Sequence, residues 1–459
     1  MSGFFSSLFE NIRALPRNLV RGLRPGVDTQ NEVASKRLRR NFIYHVHPLR
    51  VTERALNPWV TLGLGVITAT CFFVLVISGV LLMIYYIPTT KSAYASMEDI
   101  QYAVTLGPFM RALHRWAAHG MLITVLLHLV RVAAMGAYHK RELNWVIGLC
   151  LAGLVMGLAF TGYLLPWDQR SYWAVSVATA MLDNVPLIGP TVKILALGGQ
   201  QIAQATLLRF YMLHVALLPA GLVILLAIHI WRVRKDGGLA CSKDLPESQA
   251  TIPAWPHLVL REAILIIAAL VALFLVAMFL DAPLGIPVDL HTPSNPEKAP
   301  WYFLWAQEIV SYSAVVGAFV FPLVLSGWLL LLPFLDRQTT SVGRWFGGHS
   351  CKMAVAIASL AAVVGLVVFE WLYLKSGGGG QATASALWLT DLLNPATGMI
   401  GLALLVATLS GMSTGSTKAA CLSGIAVMLI AIVGFTLMGL CRGPDWVFYW
   451  PWEEWPFVN

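Results

Sequence analysis

Residues 111–131 read RALHRWAAHGMLITVLLHLVR, a stretch that we read as one helix in a chain hydrophobic enough to live in lipid. His114 and His128 are 14 positions apart in it. At about 100° per residue, 14 steps end within about 40° of the starting direction, so both imidazoles leave the same face. At about 1.5 Å per residue they lie roughly 21 Å apart along the axis, which places one near each side of a ~30 Å hydrocarbon layer.

A second stretch, residues 207–235, repeats this arrangement. His214 and His229 are 15 positions apart, about 60° from a common face and roughly 22 Å along the axis. Two such helices side by side would supply two levels, each with two facing histidines. Bis-imidazole ligation of two stacked haems is the direct interpretation.

A single histidine in a membrane helix more often hydrogen-bonds to a neighbouring helix than binds a metal. Four histidines paired at matched spacing in two helices are much harder to explain in that way. His119 serves as an internal comparison, because it lies five positions after His114 and about 140° round the helix. We therefore interpret His119 as structural.

Composition identifies the class of protein. Of the 459 residues, 58% are hydrophobic and 12% are charged, whereas a soluble domain is about 25% charged. The chain is thus predicted to be a polytopic membrane protein, and its formal charge of +8 is explained by cationic loops, not by nucleic acid. The six cysteines form no C-x-x-C or C-x-x-C-H motif, which argues against a zinc ribbon, an iron–sulfur cradle and c-type haem.

Loop charges predict the orientation in the membrane. Residues 1–56 are predicted to be a cytoplasmic surface segment, in which apolar residues followed by arginines favour an amphipathic helix. Lysines and arginines also gather in loops 137–144 and 234–256, whereas the longest loop, 166–206, holds few. By the positive-inside rule the cationic loops lie inside and 166–206 lies outside.

The predicted fold is all-α: a polytopic transmembrane bundle of about 8–9 helices around a di-haem four-helix core. The candidate spans are 59–86, 110–136, 145–165, 207–233, 257–280, 308–334, 352–374, 397–412 and 418–441.

Two further helices carry glycine at the histidine spacing. Gly65 and Gly79 are separated by the same interval as His114 and His128, and so are Gly148 and Gly162. A porphyrin between four helices needs the two non-ligating helices to come close at each level, and glycine lacks the Cβ that would prevent this. Small residues are also common at ordinary membrane helix contacts, but the shared register favours haem.

Several arginines lie near the expected membrane faces. We consider Arg115, Arg131 and Arg209 as partners of haem propionates, and equally as ordinary anchors that snorkel to the interface.

These residues resemble cytochrome b of the quinol–cytochrome c and plastocyanin oxidoreductases. The matching motifs are Leu113-His114-Arg115-Trp116, Gly-Tyr-Leu-Leu-Pro-Trp-Asp-Gln at 162–169 with Tyr172-Trp173-Ala174, and Arg209-Phe210-Tyr211-Met212-Leu213-His214. The interval from His214 to His229 is similar to that of the cytochrome b6 branch. Pro300-Trp301-Tyr302-Phe303 resembles the quinol-site signature Pro-Glu-Trp-Tyr, which the b6f complex carries on a separate subunit IV.

The resemblance covers roughly residues 40–375 and divides the chain. It implies a b6-like di-haem bundle at 57–235 and a subunit IV-like quinol-site domain at 236–375, fused in one chain. Residues 376–459 would add further membrane helices and an aromatic tail.

Two departures from the family change what is expected. Gly63 stands where the b6 branch has the cysteine that attaches an extra haem, so we expect no covalent third haem. Pro300 replaces the glutamate that is taken to accept a quinol proton. Glu308 is our first candidate for a surrogate, because it falls near the start of the next predicted membrane helix, and Glu297 is the second. A residue of a partner subunit or a chain of water molecules is the remaining alternative.

The resemblance implies two haem b groups. Because both histidine-bearing helices run from outside to inside in the predicted topology, His114 and His214 would hold the outer haem. His128 and His229 would hold the inner one.

Quinol would be oxidised at the outer side, in a pocket between the 166–190 segment and the 296–310 loop, where Pro300, Trp301 and Tyr302 lie. One electron would pass to a Rieske iron–sulfur protein and on to a c-type cytochrome, and the other through the two haems. A quinone would be reduced at the inner side, where Arg234 is the candidate contact. The implied enzyme is a proton-translocating quinol–cytochrome c oxidoreductase subunit in a dimeric, multi-subunit complex of the bacterial cytoplasmic membrane.

Two other classes remain open at this stage. A di-haem anchor of a periplasmic dehydrogenase or reductase would need the four histidines but not the Pro-Trp-Tyr loop. A transporter with intramembrane histidines would show no haem absorption.

Overall fold

The computed structural model describes residues 6, 10, 12–14, 47–240, 250–336, 338, 342–375, 394–453 and 455. Most of the predicted N-terminal surface segment therefore lies outside the described residues. Within the described ranges the chain is helical apart from loops and one short antiparallel pair, β1 (Arg50–Thr52) with β2 (Thr251–Pro253). The predicted all-α class is confirmed.

The helices follow in chain order. They are α1 (Leu64–Met83), α2 (Ala93–Tyr102), α3 (Gly107–Ala134), α4 (Glu142–Leu164), α5 (Gln169–Met181), α6 (Gly189–Leu197), α7 (Gln204–Lys235), α8 (His257–Phe279), α9 (Trp301–Tyr312), α10 (Val316–Leu335), α11 (His349–Lys375), α12 (Pro395–Thr414) and α13 (Thr417–Leu440). Nine of these described helices are long and apolar enough to cross a membrane: α1, α3, α4, α7, α8, α10, α11, α12 and α13.

Most predicted spans lie within about three residues of the observed helices at each end, and two differ by more. The span predicted at 59–86 begins only at Leu64, because Leu62 and Gly63 adopt positive φ angles of 51° and 61° that no α-helix accommodates. The span predicted at 308–334 is divided, because Ser313 is extended with φ −154° and ψ 120°. Helix α9 therefore ends at Tyr312, and the spanning helix α10 begins at Val316.

The N-terminal bundle consists of α1, α3, α4 and α7, with α8 packed on α1 and α3. Helix α3 packs on both α1 and α4, and α4 packs on α7. Buried Phe72, Met121, Leu151 and Leu222 meet at its centre. This apolar layer lies between the two histidine levels, since Met121 falls midway between His114 and His128 in the chain.

A second bundle contains α9, α10, α11, α12 and α13. Helix α13 is its centre: half of its most apolar window is buried and it contacts each of the other four helices. Its buried residues include Val427, Met428, Ala431 and Phe435. Helix α9, which begins with the Pro-Trp-Tyr segment, is thus supported from the C-terminal side of the chain.

Candidate functional site

Two histidine levels lie inside the N-terminal bundle. We call His114 and His214 the outer level and His128 and His229 the inner level, after the topology that the loop charges predict. At the outer level the centres of the two imidazole rings are 6.2 Å apart and the rings are inclined by 68°.

Hydrogen bonds orient both outer imidazoles. Nδ1 of His114 lies 2.9 Å from the Ser78 hydroxyl, whose own proton is donated to the carbonyl of Val74 at 2.7 Å. The hydroxyl must therefore accept from Nδ1–H. Nδ1 of His214 donates to the carbonyl of Leu158 at 3.0 Å. In both rings the proton lies on Nδ1, which leaves the lone pair of Nε2 for a metal.

The inner level has a different environment. The buried Nδ1 of His229 makes no hydrogen bond of standard geometry with the described residues, although the backbone of Asn144 lies close enough to interact with the ring. His229 is nevertheless held laterally by α4, since Gly148 lies beside its ring.

A π turn in α7 explains how the longer interval from His214 to His229 matches the shorter one on α3. The turn spans Leu213–Leu217, which include His214, inside an otherwise α-helical span. Such a bulge accommodates one extra residue without changing the face that follows. With one residue absorbed by the bulge, the side chains of His214 and His229 leave the helix about 40° from a common face instead of about 60°. This is the same offset as that between His114 and His128. The two ligand-bearing helices therefore present the same offset.

Each of the four predicted glycines lies against one histidine. A Cβ placed on Gly79 would lie 3.2 Å from Cε1 of His114, and one on Gly65 would lie 3.5 Å from Cε1 of His128. A Cβ on Gly148 would lie 3.7 Å from Cε1 of His229, and one on Gly162 would overlap the His214 ring. Gly79 and Gly162 therefore lie at the outer level, and Gly65 and Gly148 lie at the inner level, as their shared spacing in the sequence requires.

A cleft lies beside the outer level, between the end of α4, helix α5 and the start of α9. It is narrow in this structure, with a cavity volume of about 20 Å³, which is roughly the room that one water molecule needs. Its lining residues are Phe160, Tyr163, Ala174, Val175, Ala178, Ala299, Pro300 and Phe303. Phe160 and Tyr163 flank Gly162, so the cleft and the outer histidines share one wall.

The Pro-Trp-Tyr segment begins α9. Pro300 is the N-cap and lines the cleft, whereas Trp301 and Tyr302 are not among the lining residues. The indole Nε1–H of Trp301 donates to Nδ1 of His119 at 3.0 Å. His119 is therefore a contact between the N-terminal bundle and this segment, a specific structural role that its helical position alone did not reveal.

Comparison with known proteins supports the same assignment. Residues 51–237 match the family described as cytochrome b/b6/petB. Cytochrome b from Cereibacter sphaeroides is 31% identical over 327 residues, which cover 64% of this chain and 73% of that protein. Cytochrome b6 from Heliobacterium modesticaldum is 44% identical over 175 residues, which cover 38% of this chain and 82% of that protein. The chain belongs to the cytochrome b/b6 family.

A solved structure shows the same fold over most of the chain. A chain titled hyperthermophilic respiratory Complex III superposes with a TM-score of 0.63 at 23% identity, covering 84% of this chain and 98% of that one. Family membership together with the nine apolar helices makes this a multi-pass membrane protein of electron transport. Haem and iron binding are expected of cytochrome b.

The outer level fits a haem iron by a simple geometric test. A metal midway between the two rings would lie about 3.1 Å, half of 6.2 Å, from each ring centre. A bond of about 2 Å from imidazole nitrogen to a first-row metal accounts for most of that distance, and the remainder matches the radius of the ring. The facing glycines carry no Cβ beside these rings, as close packing of helices around a flat cofactor requires.

The predicted arginines occupy varied positions. Arg115 extends towards the cleft side, where its charge acts on Tyr302 and its buried Nε has no hydrogen-bond acceptor among the described residues. Arg131 donates from Nε to the carbonyl of Val60 at 2.9 Å. Arg209 donates to the carbonyl of Leu195 on α6, and Arg234 is half-buried at the inner end of α7.

Glu308 lies in the C-terminal bundle. Its side chain is fully buried, and Nε of Arg442 donates to both carboxylate oxygens at 3.0 and 3.1 Å. The indole Nε1–H of Trp446 adds a hydrogen bond at 3.1 Å and the hydroxyl of Tyr312 one at 2.6 Å. Every contact is a donor to an ionised carboxylate, which stabilises the charge in a buried site. Sequence reasoning gave no indication of the pair of Glu308 and Arg442, because its members lie far apart in the chain.

Proposed function

We propose that this cytochrome b is the di-haem subunit of a quinol–cytochrome c oxidoreductase, which oxidises quinol at the outer side and reduces quinone at the inner side with translocation of protons. The observation that carries the proposal is the pairing of four glycines with four histidines on two levels, the outer one sharing a wall with the cleft at Pro300.

The residues have distinct roles in this proposal. His114 with His214 and His128 with His229 each hold one haem b, and no third haem is attached at Gly63. When bound, the haems supply one-electron carriers between the two sides of the membrane. Ser78 and the Leu158 carbonyl keep the outer imidazoles in the ligating tautomer.

Quinol is proposed to bind in the cleft between α5 and the start of α9. Apolar Val175, Ala178 and Phe303 would contact a hydrophobic ring once the cleft widens to admit it, and Trp301 and Tyr302 fix the segment that carries Pro300. The proton acceptor is either Glu308, the first candidate from the sequence, or Glu297. Arg234 would contact anionic oxygens at the inner side. The arginines near the haem propionates would do the same there: Arg115, Arg131 and Arg209.

The proposal includes partners. A Rieske iron–sulfur protein takes one electron from quinol and passes it to a c-type cytochrome, because quinol gives up two electrons and each haem carries one. We place the subunit in a dimeric, multi-subunit complex of a bacterial cytoplasmic membrane.

The cleft is tested by filling it. We expect Ala178→Phe to slow quinol-driven haem reduction in the purified complex by about tenfold or more, a barrier of at least ~1.4 kcal/mol, because Ala178 lines the cleft. Pyridine haemochrome should still give two haems per chain, all extractable by acid–acetone. Ala180→Phe, on the exposed side of the same helix, is the matched control. Equal rates in the two variants, both with full haem, would place quinol oxidation elsewhere.

A further inference from the structure

Glu297 precedes, in the chain, two residues that line the cleft. Ala299 and Pro300, the second and third residues after it, line the cleft, and the lining residue Tyr163 lies within electrostatic range of the Glu297 carboxylate. The side chain is half-buried, and its Oε2 is fully buried without a hydrogen-bond donor among the described residues. A buried carboxylate oxygen without a donor is costly and needs a functional explanation.

The backbone around Glu297 is fixed from α9. The side-chain amide of Gln307 donates to the carbonyl of Glu297 at 2.8 Å, and its oxygen accepts from the N–H of Ala299 at 2.7 Å. Gln307 is itself buried. This two-point contact holds the segment in register with the cleft, so the position of the carboxylate does not depend on a freely moving loop.

The charged groups around Glu297 come from three elements. Asp168 and Arg170 face it at the start of α5, Tyr163 faces it from α4, and Lys298 follows it in the chain. Burial raises the pKa of Glu297 to about 7, against the opposing effects of the Ser294 hydroxyl and Arg170, while Asp168 adds to the rise. A general base works best when its pKa lies near the operating pH.

Glu308 differs from Glu297 in its partners. Its two oxygens are occupied by donors from Arg442, Trp446 and Tyr312, whereas Oε2 of Glu297 has no donor among the described residues. The carboxylate of Glu308 is thus engaged in an ion pair with the half-buried guanidinium of Arg442. Neither carboxylate lines the cleft itself, but Glu297 lies two residues before the lining residue Ala299.

We infer that Glu297 is the group that accepts a proton from quinol in the cleft and releases it to the outer side. The O–H bond of the quinol breaks, a new O–H bond forms on the carboxylate of Glu297, and the electron leaves to the iron–sulfur protein of the proposed function. Partial exposure of the side chain then allows the proton to pass to water. The inference rests on the proposed function and names its proton-accepting residue.

The expected pH dependence follows from the sign of the shift. Only the ionised carboxylate accepts a proton, and its fraction rises as pH increases through about 7. Quinol oxidation by the unaltered complex should therefore increase across this range. A carboxylate with an ordinary pKa would already be ionised at pH 6, so the plot of rate against pH would show no rising limb in this range.

The test compares four variants of the whole complex: Glu297→Gln, Glu297→Asp, Glu308→Gln and, as matched control, Glu98→Gln at an exposed glutamate of α2. The rate of quinol-driven haem reduction is measured from pH 5.5 to 9, together with the haem content. Infrared spectra over the same range detect the carboxylic acid that is lost as pH rises.

We expect Glu297→Gln to lose about tenfold or more of the rate, the pH limb and the infrared band. Glu297→Asp should restore part of the rate with the limb shifted in pH.

Glu308→Gln and Glu98→Gln should retain the limb and the infrared band at their original pH. If Glu297→Gln retains the original rate and profile, or if Glu308→Gln alone abolishes the limb, the inference is overturned. If Glu297→Gln loses haem, Glu297→Asp decides, since an unshifted limb in that variant overturns the inference. Absence of quinol-driven haem reduction in the unaltered complex would instead refute the proposed function.

Discussion

The outer and inner histidine levels carry the same signal in the sequence but differ in how tightly the fold holds them. At the outer level a Cβ on Gly79 would lie 3.2 Å from the His114 ring, and one on Gly162 would overlap the His214 ring. At the inner level the corresponding distances are 3.5 Å for Gly65 and 3.7 Å for Gly148, which are ordinary van der Waals contacts. Both outer imidazoles also have Nδ1 partners, whereas Nδ1 of His229 has none of standard geometry among the described residues.

The comparison shows that two histidine levels with the same residue spacing in the sequence can still differ in packing and in hydrogen bonding. Tight packing and hydrogen bonds to Nδ1 fix the orientation and electronic properties of a histidine ligand, and the outer level has more of both. In the proposed function the outer level is also the one beside the quinol cleft, where orientation matters most for electron transfer. The inner level has space for small adjustments.

Removal of a ligand should have the largest effect. We expect His128→Ala to lose the inner haem and retain the outer one, and His114→Ala to do the reverse, because each histidine serves one level. Pyridine haemochrome should give about half the haem b per chain in each variant, with different spectra for the haem that remains. His119→Ala on the same helix is the control and should retain both haems, since His119 contacts Trp301. Unchanged haem in His128→Ala would contradict the ligand assignment.

Alanine at the facing glycines should separate the two levels. Gly162→Ala forces the His214 ring to move, and overpacking of this kind costs about 1–3 kcal/mol, so we expect most molecules to lose the outer haem. Gly148→Ala adds its methyl group at van der Waals distance and should retain two haems. Haem content and the reduced-minus-oxidised spectrum measure both results. Equal haem loss in the two variants would mean that the levels are equally tight.

The smallest effect is expected when the hydrogen bond to His114 is removed, and it concerns the midpoint potential of the outer haem. Ser78→Ala removes the acceptor for Nδ1–H, which makes the imidazole a weaker donor to iron and favours the ferrous state. A hydrogen bond of about 0.5–1.5 kcal/mol corresponds to an increase of roughly 20–60 mV in the midpoint potential of the outer haem. Redox titration of both haems checks this, with the inner haem as internal control. A shift confined to the inner haem would reverse the assignment of levels.

Helical spacing was sufficient to predict that the histidines and the glycines recur at matched intervals, because the positions that share a face follow from about 100° per residue whatever packs around them. Which glycine lies against which histidine was shown by the structure. It was insufficient for α7, where the interval from His214 to His229 suggested an offset of about 60°. The π turn at Leu213–Leu217 removes this discrepancy. A local signal for the turn does exist in Pro219, which follows it by two residues and lacks the N–H that a regular α-helical bond would need. The π turn at Val316–Val320 precedes Pro322 in the same way.

The carboxylates illustrate a limit of another kind. Glu308 was the first candidate for a proton acceptor because the predicted span began at that residue, close to the quinol segment. The structure ends α9 at Tyr312 and brings Arg442 against Glu308, and the prediction that Glu308 accepts a proton now competes with the inference for Glu297. Contacts between residues so far apart in the chain depend on how whole helices pack, and no local pattern encodes them.

The sequence by itself determined the membrane class, the helical spans, the four histidines and the glycines that face them. Each of these follows from hydropathy or from periodicity within a single helix. Only the tertiary structure decided which carboxylate is held by an arginine, that His119 contacts Trp301, and that the outer histidines are packed more tightly than the inner ones. Those properties depend on distances between helices, which differ by fractions of an ångström and arise only when all the helices are packed together.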